Sequence, residues 1–297
     1  MYKIAFIGNS ESPAKLLELF KRQTPGRLGI WGQLQGVDNY EEADYYGVID
    51  YLPSGLNVDA KKCVFLGAHP ETMSAYRNMD NYECLAKFDA RKTFGFGEWW
   101  INFDYDYLKA LKPPVKTSSL AAVVSNARSQ PYHTARIEWL KRFTNNKDLD
   151  FHLYGRIEPD TFEMARYYRG ACGSLDARGF AISGNDHMSG KELVYLEHEF
   201  AIEFDATGEY YFSERIFDCL LLWSMPLYWG GKRLHEFIPA ESFRYIDIDK
   251  SGEDVLKYVE EQIYFKSLPA IEKAREILLD ELQLWARIHF SIFGSYK

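Results

Sequence analysis

The sequence predicts an α/β protein built from two parallel-sheet domains, and three observations predict it. The run from His198 to Gly231 reads as strand, loop, helix and strand, the unit of a parallel α/β sheet. The opening segment repeats that rhythm, with strand Lys3–Ile7 leading through Gly8-Asn9-Ser10-Glu11-Ser12 to a helix that starts at Pro13. Between them, Leu111-Lys112-Pro113-Pro114-Val115-Lys116-Thr117-Ser118-Ser119 has the paired prolines and small polar residues of a linker. A chain of 297 residues, 46% of them hydrophobic, can fill two cores of ordinary size.

The central run is the most informative. Phe200-Ala201-Ile202-Glu203-Phe204 reads as a buried strand, and Asp205 to Tyr211 as a polar loop. Ser213 suits the N-cap of the next helix, because its hydroxyl can accept from a free first-turn amide, and Phe212 and Phe217 can form a hydrophobic staple. Ile216, Cys219, Leu220 and Trp223 then form one apolar stripe. Pro226 is expected to end the helix and Leu227-Tyr228-Trp229 to be the next strand. Helix N-termini at the carboxyl ends of such strands favour anions. Arg215 in that first turn could bridge phosphate oxygens, and Glu214 could accept from ribose hydroxyls. The alternative is a solvated Glu-Arg pair on an ordinary helix.

In the first domain, Tyr46-Gly47-Val48-Ile49-Asp50-Tyr51 and Lys62-Cys63-Val64-Phe65-Leu66-Gly67 read as further strands. The start lacks GxGxxG, which argues against a nicotinamide or flavin site. His69 and Glu71 follow a strand's carboxyl end, and either side chain can take a proton near neutral pH. The segment Phe94 to Phe103 is rich in aromatics and glycine; Trp99 and Trp100 could offer flat faces to an acceptor sugar, or could belong to a core rim. Asp104-Tyr105-Asp106 matches a metal-binding DxD by spelling and is read as a charged turn.

In the second domain, Ala121 to Asn126 reads as a strand entering a polar loop, Ala135 to Phe143 as a helix, and Phe151 to Arg156 as the next strand and turn. The glycines from Gly170 to Gly190 suggest a loop. Ser251 to Asp254 looks like an S-x-x-D cap before a helix over Val255–Tyr264, and Ser267 to Phe293 is amphipathic.

Several of these stretches resemble family 10 glycosyltransferases, the α-1,3/4-fucosyltransferases. The likeness rests on Ala201-Ile202-Glu203, Tyr211-Phe212-Ser213-Glu214-Arg215, Met225-Pro226-Leu227-Tyr228-Trp229-Gly230 and Phe237-Ile238-Pro239-Ala240-Glu241-Ser242-Phe243, preceded by Val123-Val124-Ser125-Asn126, Arg136 and Tyr154-Gly155 in the family's order. It covers about residues 119 to 250. The chain departs where the family has Lys (here Arg215), Asn-Ser after the strand Glu (here Phe204-Asp205, so that Asp205 is an alternative counterpart of that Glu), and a helix-ending Gly (here Trp223). These departures leave the donor sugar open.

The resemblance implies a GT-B-like α/β fold of two facing Rossmann-like domains. Residues 1–116 would form the acceptor side and 117–274 would bind the nucleotide sugar, with a terminal helix over about 275–297 packing back on the first domain. It further implies inverting transfer of fucose from GDP-fucose to a glycan hydroxyl. Ser125, Asn126, Arg136, Tyr154, Gly155, Tyr211, Ser213, Glu214 and Arg215 would hold the donor. The family's loop base falls on Ala68, so the catalytic candidates are Glu71, His69 and Glu203. Arginines and helix amides would stabilise the departing GDP without a metal or other cofactor. Transfer of a different sugar and a non-catalytic nucleotide or glycan binder remain alternatives.

The net charge of −8 and the absence of a basic cluster argue against nucleic acid. The four cysteines show no metal spacing and read as reduced core residues. With no basic leader and no long apolar run, a soluble cytoplasmic protein is expected, whether compact by nature or trimmed from an anchored form.

Overall fold

The computed structural model describes residues 1–8, 11–50, 52–53, 55–67, 83–89, 94–95, 97–145, 149–159, 162–171, 191–206 and 208–295. The first sheet contains β1 (Tyr2–Ile7), β2 (Ile30–Trp31), β3 (Leu34–Gly36), β4 (Tyr45–Ile49), β5 (Cys63–Leu66) and β6 (Ala86–Phe88), in the order β2-β3-β1-β4-β5-β6. Its pairings are parallel except β2 with β3. The second sheet contains β7 (Ser118–Val123), β8 (Phe151–Tyr154), β9 (Tyr168–Gly170), β10 (His198–Phe204), β11 (Met225–Trp229) and β12 (Arg244–Tyr245). Its order is β12-β11-β10-β7-β8-β9 and every pairing is parallel.

The second sheet therefore has the 3-2-1-4-5-6 order of dinucleotide-binding folds, and its direction of winding switches between β7 and β10. Strands this deep need apolar side chains on both faces, which is why β10 reads as a near-continuous apolar run and is buried from Phe200 through Phe204.

The helices among the described residues are α1 (Pro13–Lys21), α2 (Tyr105–Ala110), α3 (Pro131–Thr144), α4 (Phe162–Tyr167), α5 (Lys191–Glu197), α6 (Glu214–Leu221), α7 (Glu253–Glu260), α8 (Ile263–Ile277) and α9 (Leu284–Phe293). None is long and apolar enough to cross a membrane. On α1, Ser12 accepts from the Lys15 amide while Leu16, Leu17 and Phe20 face the core. Asp104 is the N-cap of α2, accepting from the Tyr107 amide, and Asp106 accepts from the Gly26 amide; the DxD spelling thus belongs to a helix start rather than a simple turn.

Other boundaries differ from expectation for physical reasons. Pro131 occupies the first turn of α3, so this helix begins before Ala135 and Arg136 lies in its second turn. Helix α6 ends at Leu221, and Trp223 takes the left-handed conformation with φ 61° that usually falls to Gly. Pro226 does not end that helix but lies inside β11 opposite Ala201, where β12 pairs only from Leu227 onward. The cap of α7 is Gly252 with φ 94°, because a Cβ there would meet the Phe143 ring at 2.4 Å; Ser251 instead donates its amide to Glu253. The Gly-rich stretch over 172–190 lies outside the described residues.

The segment 94–103 joins the two sheets. Phe94 packs its ring against Phe212, Phe217 and Phe237, while the amides of Trp100 and Asn102 donate to Asp218 and Glu192. From the C-cap of α1, Arg22 pairs with Glu98. The chain then returns through α9 to the first sheet, where the Trp285 indole packs edge-on to Phe6 and donates to the Phe20 carbonyl.

Candidate donor site at the switch point

The crevice outside the carboxyl ends of β7 and β10 is where the strand order places a ligand, and two guanidiniums reach it from the helices that follow those strands. Arg136 of α3 donates through one nitrogen to both the carbonyl and the hydroxyl of Ser125, each at 2.9 Å. Arg215 of α6 donates to the Val123 carbonyl at 3.3 Å. Both cations thus hold the same end of β7. Arg136 is only 4% exposed, its Nε is buried without a hydrogen-bond partner, and no carboxylate lies within salt-bridge reach of it among the described residues. Burial and the neighbouring Arg215 pull its pKa down to about 10. Two clustered cations with an unspent donor favour an anion between them.

The start of α6 is fixed by Asp205, the first residue past β10. Its carboxylate accepts from the Ser213 amide at 3.0 Å, the Ser213 hydroxyl at 2.5 Å and the Tyr228 hydroxyl at 3.0 Å. Ser213 in turn accepts from the Arg215 amide at 3.3 Å, so the cap and the strand end form one unit. Arg215 lies 3.9 Å from Asp205 and 3.6 Å from Glu203. Against the downward pull of burial, Glu214, Glu203 and Asp205 keep Arg215 firmly charged.

Glu203 was expected among the catalytic groups, and its position corrects that expectation. It is fully buried, with one oxygen accepting from the Tyr195 hydroxyl at 2.6 Å and the other facing Arg215, so it cannot touch an acceptor. Burial, opposed by Arg215, pushes its pKa up to about 7. Beneath it, Lys191 pairs with Asp218 at 2.5 Å, both side chains almost wholly enclosed.

Of the remaining expected donor residues, some lie at or past the ends of β7 and β8 and the others lead into or open α6. Ser125 is held by Arg136, and the Asn126 amide donates to the Arg156 carbonyl while its side chain is exposed. Tyr154 ends β8, and Gly155 turns with φ 110° against the Val124 carbonyl, where a Cβ would sit 2.2 Å away. Only glycine fits there. Glu214 is half-buried in the first turn of α6, and Tyr211 packs on the Ile7, Val48 and Phe65 cluster of the first sheet. His69 and Glu71 lie outside the described residues.

The acceptor platform needs correction too. Trp99 is fully buried and its indole donates to the Phe103 carbonyl, so its face belongs to the core. Trp100 is half-buried, with its amide tied to Asp218. Sequence reasoning missed Tyr132 and His133 in the first turn of α3. Burial and the guanidiniums of Arg136 and Arg215 hold His133 below its ordinary pKa, and its ring shares a hydrogen bond with the Ser129 hydroxyl. Pro131 was the available signal, since proline at the first helical position would have moved the helix start ahead of them.

Two Rossmann-like parallel sheets, the second with a cationic switch point, define a GT-B fold. Comparison with solved structures agrees: a glycosyltransferase from Rickettsia africae ESF-5 superposes with a TM-score of 0.52 at 10% identity, covering 99% of each chain. An α1,3-fucosyltransferase crystal structure gives a TM-score of 0.49 at 14% identity over 95% of this chain and 91% of that one. In sequence, the chain is similar to a fucosyltransferase-like protein of Arabidopsis thaliana, 24% identical over 225 residues. That match takes in 69% of this chain and 37% of the relative's length. No protein-family model matches the chain.

Proposed function

We propose that this protein is a glycosyltransferase that moves a sugar, fucose from GDP-fucose, to a hydroxyl of a glycan acceptor with inversion. The observation that carries the reading is the meeting of Arg136 and Arg215 at the end of β7, on a strand order that puts nucleotide diphosphates there. The likeness to a fucosyltransferase-like protein supports the choice of sugar.

In this reading the two guanidiniums bind the diphosphate and stabilise the charge that gathers on GDP as the bond to the anomeric carbon breaks. Their geometry is set before the donor arrives, because Ser125 and Val123 orient Arg136 and Arg215. An acceptor hydroxyl, deprotonated by His69 or Glu71, attacks the opposite face of the sugar. Glu203 takes no part as a base, being sealed from any acceptor.

A donor panel with a glycan acceptor library tests the proposal. Turnover of GDP-fucose is the expected result. Turnover of another nucleotide sugar alone would replace the sugar while keeping the site, and GDP binding without turnover of any donor would make the protein a binder.

A further inference from the structure

Two carboxylates face Arg215 from the end of β10, and they are partnered unequally. Asp205 receives three hydrogen bonds spread over both oxygens. Glu203 receives one, from Tyr195, while its Oε2 is buried with no hydrogen-bond partner and stands 3.6 Å from the Arg215 guanidinium. An ionised oxygen left in that state is costly, and a proton on it removes the cost.

We infer that Glu203 is a proton-taking positioning residue: a diphosphate that binds Arg215 drives protonation of Glu203 and so releases the guanidinium from carboxylate to phosphate. The inference rests on the diphosphate reading of the site. The proton comes from solvent and no covalent bond changes. An arriving anion adds like charge beside Glu203, which disfavours its ionised form; burial raises the pKa of Asp205 as well, but the Ser213 and Tyr228 donors give its oxygens the partners that Glu203 Oε2 lacks.

The charged and titratable groups around Glu203 agree. Tyr195 and Lys191 face it from α5, Arg215 and Cys219 from α6, and Asp205 from the first position past its own strand. Lys191 is already engaged by Asp218, so Arg215 is the cation whose loyalty decides the charge of Glu203. Burial has already raised the free-state pKa of Glu203 to about 7, within reach of a modest further push.

Calorimetric titration of the full chain with GDP-fucose, and in parallel UDP-glucose, from pH 6 to 9 tests this. A diphosphate diester has no proton to lose in that window and the nucleobase imide proton leaves only toward its alkaline end, so proton uptake near neutral pH belongs to the protein. The wild type should bind up to about tenfold more weakly per pH unit on the alkaline side, with net proton uptake in buffers of differing ionisation heat. Glu203→Gln, a neutral mimic of the protonated acid, should keep the acid-side affinity at every pH and take up no proton. Tyr195→Phe, which removes the bond favouring the ionised form, should move the pH dependence upward. Uptake that persists in Glu203→Gln, or that vanishes instead in His133→Asn, overturns the inference, as does pH-independent wild-type binding. Failure of the wild type to bind either donor at any pH would strike the diphosphate reading itself.

Discussion

Arg136 and Arg215, 79 positions apart in the sequence, hold the same strand end: one donates to Ser125 and the other to Val123. Among the described residues neither cation is fully neutralised by hydrogen-bonded carboxylates, since Arg136 has none there and the two near Arg215 stand at 3.6 and 3.9 Å.

Removing either guanidinium should therefore weaken donor binding, and loss of Arg215, the counter-charge of the buried Glu203 and Asp205, should cost stability as well. Arg136→Met and Arg215→Met should each raise the Kd for GDP roughly 10- to 100-fold, the worth of a charge-assisted hydrogen bond or two. Titration calorimetry beside a thermal melt separates the two effects. Equal affinity in both variants would remove the arginines from the site.

The buried Lys191–Asp218 pair gives a stability prediction. Lys191→Met strands an enclosed carboxylate and should cost about 3–5 kcal/mol in urea denaturation. Adding Asp218→Asn, which keeps an oxygen for the Trp100 amide, should restore part of that loss. A double variant less stable than Lys191→Met alone would contradict this account.

Trp223 tests which of two opposed effects wins. Glycine would relieve a left-handed backbone worth about 1–2 kcal/mol. It would also delete an indole that donates to the Leu111 carbonyl and lies 4.3 Å from the Arg275 guanidinium, where losing a buried Trp costs about 3–5 kcal/mol. Trp223→Gly should thus destabilise by about 2 kcal/mol, and a gain in stability would show that the backbone strain dominates.

Glu203 also sets a pH signature in the absence of ligand. Its folded pKa of about 7 stands above the ordinary 4.5, so the fold tolerates the ionised form poorly. Below about pH 4.5 the group is protonated in both states and costs nothing. Stability then falls as pH rises toward 7, by about 3 kcal/mol in all, and the loss is complete above it. The stability advantage of Glu203→Gln over wild type, measured by urea denaturation at pH 4.5, 6 and 8, should grow over that interval. A constant difference would mean that Glu203 does not titrate there.

Much of the architecture was legible because it is local. Ser12 and Ser213 announce their helices through bonds that close within a few residues, and the apolar run of β10 reveals a strand covered on both faces. Short strands such as β2, β3 and β12 were not legible, since two or three residues carry no periodicity and pair only because longer strands lie beside them. Trp223 hid a helix end in the same way: its conformation is the one glycine prefers, held by contacts with Leu111, Tyr264 and Arg275.

The sequence by itself determined the alternation of strands and helices, while the linker expected over 111–119 runs into β7, which begins at Ser118. Only the tertiary structure decided that Arg136 and Arg215 share one strand end, that Trp99 is core, and that Glu203 lies sealed beneath Arg215 rather than before a substrate. Caps and periodicity arise between residues a few positions apart, whereas burial and electric field at a side chain are summed over neighbours that the chain brings from far away.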